Sequence, residues 1–216
     1  MILYRFVRFL VQAVCRTYWR ATFEGLEHVP RTGPFVLAPV HRSFIDFAIV
    51  SGVTKRRLRY MGKAELWKFR PFGALLSALG AFPVHRGAAD REAFRRSLAV
   101  IEGGEPLVLF PEGTRRYGPV VENLHEGASY VAMRAGIPIV PVGIGGSERA
   151  LQKGKRLPRP TRVHVAVGPP IVPPAVGERR SPSRRAMREL SEQLRVEIQR
   201  LFDHAQSVAG SPPSDR

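Results

Sequence analysis

Short apolar runs alternating with helix-patterned stretches constrain this chain more than any other feature. Pro34–Ala38, Leu58–Met61, Pro106–Phe110, Pro138–Ile144 and Val163–Val167 have the length and composition of buried strands. Between and after them lie helical patterns. Asp90–Glu102 stops at Gly103-Gly104, Gly127–Ala135 stops at Gly136, and a long helix opens at Ser181 with Pro182 at its first position. In that last helix Met187, Leu190, Leu194, Ile198 and Leu201 form one continuous apolar stripe, the pattern of core packing. Strand and helix in alternation predict an α/β fold, a single domain with a mixed, largely parallel sheet flanked by helices. A chain of 216 residues suits one such domain with a full core.

Residues 2 to 20 contain no Pro or Gly and predict a helix. Arg5, Arg8, Gln12, Arg16 and Arg20 fall within about 120° of one another on it. A broad apolar face centres on Leu3, Val7, Leu10, Val14 and Tyr18, with Phe9 and Trp19 beside the basic stripe. Such a helix either lies in a membrane interface with its guanidinium groups towards lipid phosphates, or docks on the core as a terminal helix. The expected organisation is an amphipathic membrane-interface helix over 1–23, the main α/β domain over 24–208 and a disordered tail over 209–216. The Arg-broken N-terminus lacks the pattern of a signal peptide. The longest later uncharged run, Pro71–Val84, falls short of the roughly 20 residues of a membrane span.

Charge narrows the partners. Lys+Arg 34 against Asp+Glu 18 leaves a net +16, which attracts nucleic acid, anionic membrane or phosphorylated ligands. No zinc-finger spacing, RNA-recognition signature or basic-zipper heptad supports nucleic acid. The single cysteine, Cys15, excludes an intrachain disulfide and a multi-cysteine zinc site and fits a reducing compartment. His125-Glu126 has Ser129 where a zincin needs its second histidine, so no metal site is expected.

Of the six histidines, His28, His164 and His204 have no neighbouring constellation and read as surface or packing residues. His41 differs. It follows the first predicted strand in Pro39-Val40-His41-Arg42-Ser43-Phe44-Ile45-Asp46. A spacing of five brings the imidazole and carboxylate together only across a bend, and Ser43 supplies one by capping a helix with Asp46 in its first turn. Asp46 can then hold one ring nitrogen while the other accepts a proton from a hydroxyl. Phe110-Pro111-Glu112-Gly113-Thr114-Arg115 ends another strand. Its residue types suit a phosphorylated polyol: guanidinium for phosphate, carboxylate for hydroxyls, glycine for close backbone approach. Phe82-Pro83-Val84-His85-Arg86-Gly87 and Ile137-Pro138-Ile139-Val140-Pro141-Val142 are two further strand-borne segments.

In order and spacing these four segments resemble the lysophospholipid acyltransferase family typified by 1-acylglycerol-3-phosphate acyltransferase. His41 to Asp46 matches its His-x4-Asp block, Phe82 to Arg86 the second, Phe110 to Arg115 the third and Val140 to Val142 the fourth. The sequence departs from the family at Val40, where Asn is frequent, at Arg116, where Ser is frequent, and at His125-Glu126-Gly127, where a basic residue before Gly is usual. The resemblance implies a glycerolphosphate acyltransferase-like fold. It implies transfer of an acyl group from acyl-CoA or acyl carrier protein to the free hydroxyl of a lysophospholipid, lysophosphatidic acid first among them, with no cofactor. His41 would be the general base and Asp46 its orienting partner. Arg86, Glu112, Gly113, Thr114 and Arg115 would bind the acceptor head group, with Lys63 contributing. Val140 to Val142 would help form the oxyanion environment. A thiolate leaves without a strong acid, and no Gly-x-Ser-x-Gly elbow occurs, so transfer is expected to be direct. The resemblance also places the enzyme peripherally, on the cytoplasmic face of an anionic membrane. Other acceptors remain in play: glycerol-3-phosphate, another lysophospholipid, a glycolipid or a polyol. A non-enzymatic basic binding module is the alternative outside enzymes.

Overall fold

The computed structural model describes residues 2–84, 90–122, 124–151, 157–175 and 181–210. Seven α-helices and seven strands occur in these residues, besides two short 3-10 helices (Leu26–His28 and Ala64–Trp67), in the order α1 (Ile2–Thr17), β1 (Thr22–Glu24), β2 (Val36–Pro39), α2 (Asp46–Val50), β3 (Arg59–Lys63), α3 (Arg70–Ala78), β4 (Ala81–Val84), α4 (Asp90–Glu102), β5 (Leu107–Val108), α5 (Gly127–Ala135), β6 (Ile139–Gly145), α6 (Ser147–Ala150), β7 (His164–Val167) and α7 (Arg184–Val208).

All seven strands join one sheet in the order β1-β7-β6-β2-β5-β3-β4. Every neighbouring pair is parallel except β6 with β7. The α/β expectation therefore holds. Each residue of β2 and β6 is buried, as central strands covered on both faces must be. Val36 of β2 sits opposite Ile139 of β6, and Pro39 opposite Val142, which aligns the ends of the two strands where His41 follows.

Helices α4, α5 and α7 cover one face, and α7 lies closest. A Cβ added to Gly143 or Gly145 of β6 would stand 2.3 or 2.2 Å from the backbone of α7 at Leu201 and Ala205. Only glycine at these two positions lets the helix approach so near. Phe202, Leu194 and Ile198 of α7 are fully buried. The opposite face carries α1 and α2, and Phe23 of β1 points there beneath Gly52.

Helix bounds follow local chemistry. α4 and α5 have their expected limits, set by Gly103 and by Gly136 in the left-handed conformation. α7 starts two residues later than expected: Ser183, not Ser181, is the N-cap, and its side chain accepts from the Ala186 amide, leaving Pro182 outside the helix. It runs to Val208 with Ala209 buried beside it, and residues 211–216 of the expected tail lie outside the described residues. β1 was not foreseen; three residues are too few for an alternating pattern.

α1 reverses an expectation. The middle of the polar stripe, Arg8 and Gln12, faces the protein, while Arg5, Arg16 and Arg20 stay exposed. Arg8 donates to the carbonyls of Ser51 (3.0 Å) and Thr54 (2.6 Å), and Gln12 to the Ala48 carbonyl (2.9 Å) and the Ser51 hydroxyl (2.7 Å). Carbonyls at the end of a helix lack intrahelical partners, so the end of α2 and the loop after it offer acceptors that an apolar face could not satisfy. Arg8 is thereby withdrawn from any lipid phosphate. The opposite side of α1 leaves Ile2, Leu3, Phe6, Phe9, Leu10 and Val14 exposed, Phe9 by 67%.

Candidate active site

Chain direction at the end of β2 assembles the site. His41 follows the buried Val40, whose amide is bonded to the Val142 carbonyl (3.0 Å). The chain then bends through Phe44 and Ile45 into α2, which begins at Asp46. Within the bend, the Asp46 Oδ2 atom accepts three hydrogen bonds: from the amides of Arg42 (2.8 Å) and Ser43 (2.7 Å), and at 2.9 Å from His41 Nδ1. Ser43 does not cap α2 as expected; its hydroxyl donates to the Leu151 carbonyl (3.0 Å). Only the carboxylate half of the capping box forms, from Asp46 back to the Ser43 amide. Since Asp46 occupies the Arg42 and Ser43 amides, they offer no anion site.

The imidazole is also held on its faces. Phe110 lies 4.1 Å from it between ring centres, and Phe47 packs edge-on at 5.3 Å. With Nδ1 on a fully buried carboxylate, Nε2 has no protein partner among the described residues. His41 lines a cleft of about 950 Å³ whose walls include Phe110, Gly113, Phe94, Tyr130, Val131 and His125. An imidazole so oriented can take a proton from an alcohol lying in the cleft.

The Phe110-to-Arg115 segment splits between two roles. Glu112 is buried to 1%, with Oε2 accepting the His41 amide (2.7 Å) and Oε1 the Arg42 guanidinium (2.5 Å). A buried carboxylate needs such partners, so Glu112 braces the His41–Arg42 segment from behind and is not among the residues lining the cleft. Sequence alone did not identify Arg42, which also donates to the Gly118 and Val120 carbonyls and lies 4.9 Å over the Phe202 ring. Beyond this brace the chain turns outward. Gly113 lines the cleft in the left-handed conformation (φ +67°), where a Cβ would stand 2.6 Å from the His125 ring. Thr114 is exposed and Arg115 half-buried, and among the described residues no carboxylate pairs with Arg115. Arg116 is paired with Glu122 at 3.1 Å.

Two expected contributors cannot be followed as far. Arg86 lies outside the described residues, and Lys63 is placed only by its backbone, at the end of β3 opposite Val84. Val140 to Val142 do not line the cleft. They are locked into the sheet against Leu37 to Pro39, so no oxyanion role attaches to them. Cys15 is fully buried, and burial pushes its thiol up to about 11, which removes it as a nucleophile at neutral pH. His164 and His204, read as isolated, meet around Glu24 at the far edge of the sheet.

An imidazole oriented by a buried carboxylate, on the wall of a cleft beside an α/β sheet, is an arrangement that can activate a hydroxyl. The chain belongs to the acyltransferase family: the Acyltransferase model matches residues 20–145, more than half of its length. Among curated relatives, 1-acyl-sn-glycerol-3-phosphate acyltransferase of Bacillus subtilis is 28% identical over 67% of this chain and 70% of its own length. The chloroplastic LPAT1 of Arabidopsis thaliana is 25% identical over 63% of this chain but only 39% of its own length. Lyso-ornithine lipid O-acyltransferase of Pseudomonas aeruginosa is 28% identical over 51% of this chain and 43% of its own. The crystal structure of the 1-acyl-sn-glycerophosphate acyltransferase PlsC from Thermotoga maritima shares the fold, with a TM-score of 0.71 over 92% of this chain and 80% of that one, at 22% identity.

Proposed function

We propose that this enzyme transfers a fatty acyl group from an acyl thioester, acyl-CoA or acyl carrier protein, to the free hydroxyl of lysophosphatidic acid, yielding phosphatidic acid. The observation that carries the reading is the 2.9 Å bond between His41 Nδ1 and the buried Asp46, which leaves Nε2 available in the cleft. Nε2 takes the proton of the acceptor hydroxyl as its oxygen attacks the thioester carbonyl. Collapse of the tetrahedral intermediate breaks the C–S bond, and the thiolate recovers the proton from the imidazolium. Direct transfer is favoured because Cys15 is buried and the Ser43 hydroxyl is turned to a carbonyl. Arg115 on the outward turn is the phosphate-binding candidate, with Gly113 and Thr114 beside it; Lys63, at the end of β3, and Arg86 are the further candidates. The apolar walls at Phe94, Val131 and Met187 suit an acyl chain.

The surface suits a membrane partner. No helix among the described residues is long and apolar enough to cross a membrane. Instead α1 exposes its apolar side, and Phe69, Phe72 and Leu75 are exposed on and just before α3. Arg57 links the two patches, lying 5.8 Å over the Tyr4 ring and donating to the Ser77 and Ala78 carbonyls at the end of α3. That layout supports peripheral attachment with these apolar groups in the interface, and the face proposed is the cytoplasmic one.

His41→Ala is expected to lower turnover by about 10²- to 10⁴-fold with the circular dichroism spectrum unchanged. Near-normal turnover would remove His41 as the base. Lipid mass spectrometry with mixed lysolipids and mixed acyl donors assigns the acceptor. The similarity to a lyso-ornithine lipid acyltransferase favours one second reading, the same chemistry on a lysolipid without phosphate. In that case Arg115→Ala would leave the Michaelis constant for the acceptor unchanged.

A further inference from the structure

A second group of chemistry-bearing side chains stands at the far edge of the sheet, separated from β2 by β6. Thr22 of β1 is in register with His164 of β7, Glu24 lies two residues further on the same face, and His204 of α7 meets them. One ligand atom from each of Glu24, His164 and His204 lies within 4.8 Å of the others. Glu24 Oε2 is 3.4 Å from His164 Nε2, and Oε1 is 2.5 Å from His204 Nε2. Two imidazoles and a carboxylate are a donor set for borderline divalent ions, with positions left for water.

An independent observation points the same way. His164 is only 5% exposed, and its buried Nε2 makes no hydrogen bond, the contact with Glu24 Oε2 at 3.4 Å being too poorly aligned for one. On the other side of the ring, Nδ1 is 2.7 Å from the Thr22 hydroxyl oxygen. With the proton on Nδ1 and donated to that oxygen, Nε2 turns its lone pair into the cluster, the outer-shell arrangement typical of metal-bound imidazole.

We propose that Glu24, His164 and His204 bind a divalent transition-metal ion, Zn²⁺ fitting the donors best, and that the ion clips edge strand β1 to helix α7. Tetrahedral Zn²⁺ with bonds near 2.0–2.1 Å sets its ligand atoms about 3.3 Å apart. Glu24 meets the two rings through different oxygens: the 3.4 Å separation matches that spacing, whereas the 2.5 Å contact has hydrogen-bond length and opens when a metal ion replaces the shared proton. The Glu24 and His204 side chains, 44% and 49% exposed, are free to adjust around the fixed His164. Because Glu24 and His204 lie near opposite ends of the chain, the clip ties the segment after α1 to the C-terminal helix. It takes no part in acyl transfer.

The test uses full-length protein stripped with EDTA and desalted, then titrated with Co²⁺ as the spectroscopic probe and with Zn²⁺ by competition. Expected are one equivalent of visible ligand-field absorption, its displacement by Zn²⁺, and a rise in melting temperature with Zn²⁺. His204→Gln and Glu24→Gln, both at exposed side chains, should abolish all three while the metal-free variants keep the wild-type circular dichroism. Thr22→Val should weaken binding about tenfold or more. His41→Ala and His28→Gln should leave the signal intact. Absence of the absorption band, its survival in His204→Gln, or its loss in His41→Ala would each overturn the proposal. Acyl transfer by His204→Gln, assayed in parallel, separates this outcome from the fate of the catalytic reading.

Discussion

Arg42 and Glu112 each expose about 1% of their side chains, so their pairing concerns the integrity of the loop before it concerns substrate. Removing one partner strands the other as a buried charge. Glu112→Ala is therefore expected to cost about 3–5 kcal/mol in urea unfolding, and Arg42→Ala a similar amount. The double variant should cost less than the two singles combined, because each single already breaks the same pair. Retained stability in Glu112→Ala with only a weaker acceptor affinity would return Glu112 to the head-group role. Gly113→Ala forces a side chain into left-handed backbone and onto the His125 ring, so the Michaelis constant for the acceptor should rise severalfold while His41 stays in place. The His41–Asp46 pair was legible because both partners lie in one short bend. The Glu112 contact was not, because it joins residues 70 positions apart, and a carboxylate facing substrate reads the same in sequence as one facing a neighbour.

At the scale of elements, legibility followed the strength of local punctuation. α4 and α5 were read to the residue because glycines end them. The start of α7 slipped because Ser181-Pro182-Ser183 offers two capping serines, and only the geometry selects the second. The periodicity of α1 gave the helix but not that Arg8 and Gln12 turn inward beside Tyr4 and Cys15, where carbonyl acceptors of α2 and the loop after it receive them. That orientation is testable. Phe6→Asp with Phe9→Asp should reduce sedimentation with anionic liposomes without lowering the melting temperature, as both rings are already exposed. Gly143→Ala is the converse case. A methyl group 2.3 Å from the α7 backbone cannot be relieved by a side-chain rotation, so about 3 kcal/mol of stability should be lost in denaturant unfolding.

For the molecule as a whole, buried proton donors predict behaviour in alkali. Burial pushes the Cys15 thiol up to about 11 and also raises the Tyr4 and Tyr60 hydroxyls. The unfolded chain gives up these protons from about pH 8.5 to 10, before the folded one does. Between those values the native state binds more protons, so stability is complete below about pH 8.5 and declines as pH rises towards 11. Melting temperatures measured from pH 7 to 11 should trace that decline; a flat profile would contradict it. The whole fold also links two surfaces mechanically. Arg8 and Gln12 grip the end of α2 and the loop after it, and the first residue of that same five-residue helix is Asp46. About 7.5 Å of rigid backbone thus connects the helix proposed to rest on lipid with the carboxylate that aims His41. On the proposed reading, the ring that serves as base is mounted at a set height and tilt above the surface. An Arg8→Ala enzyme, with that mounting loosened, should lose more turnover on vesicles than on detergent-dispersed substrate.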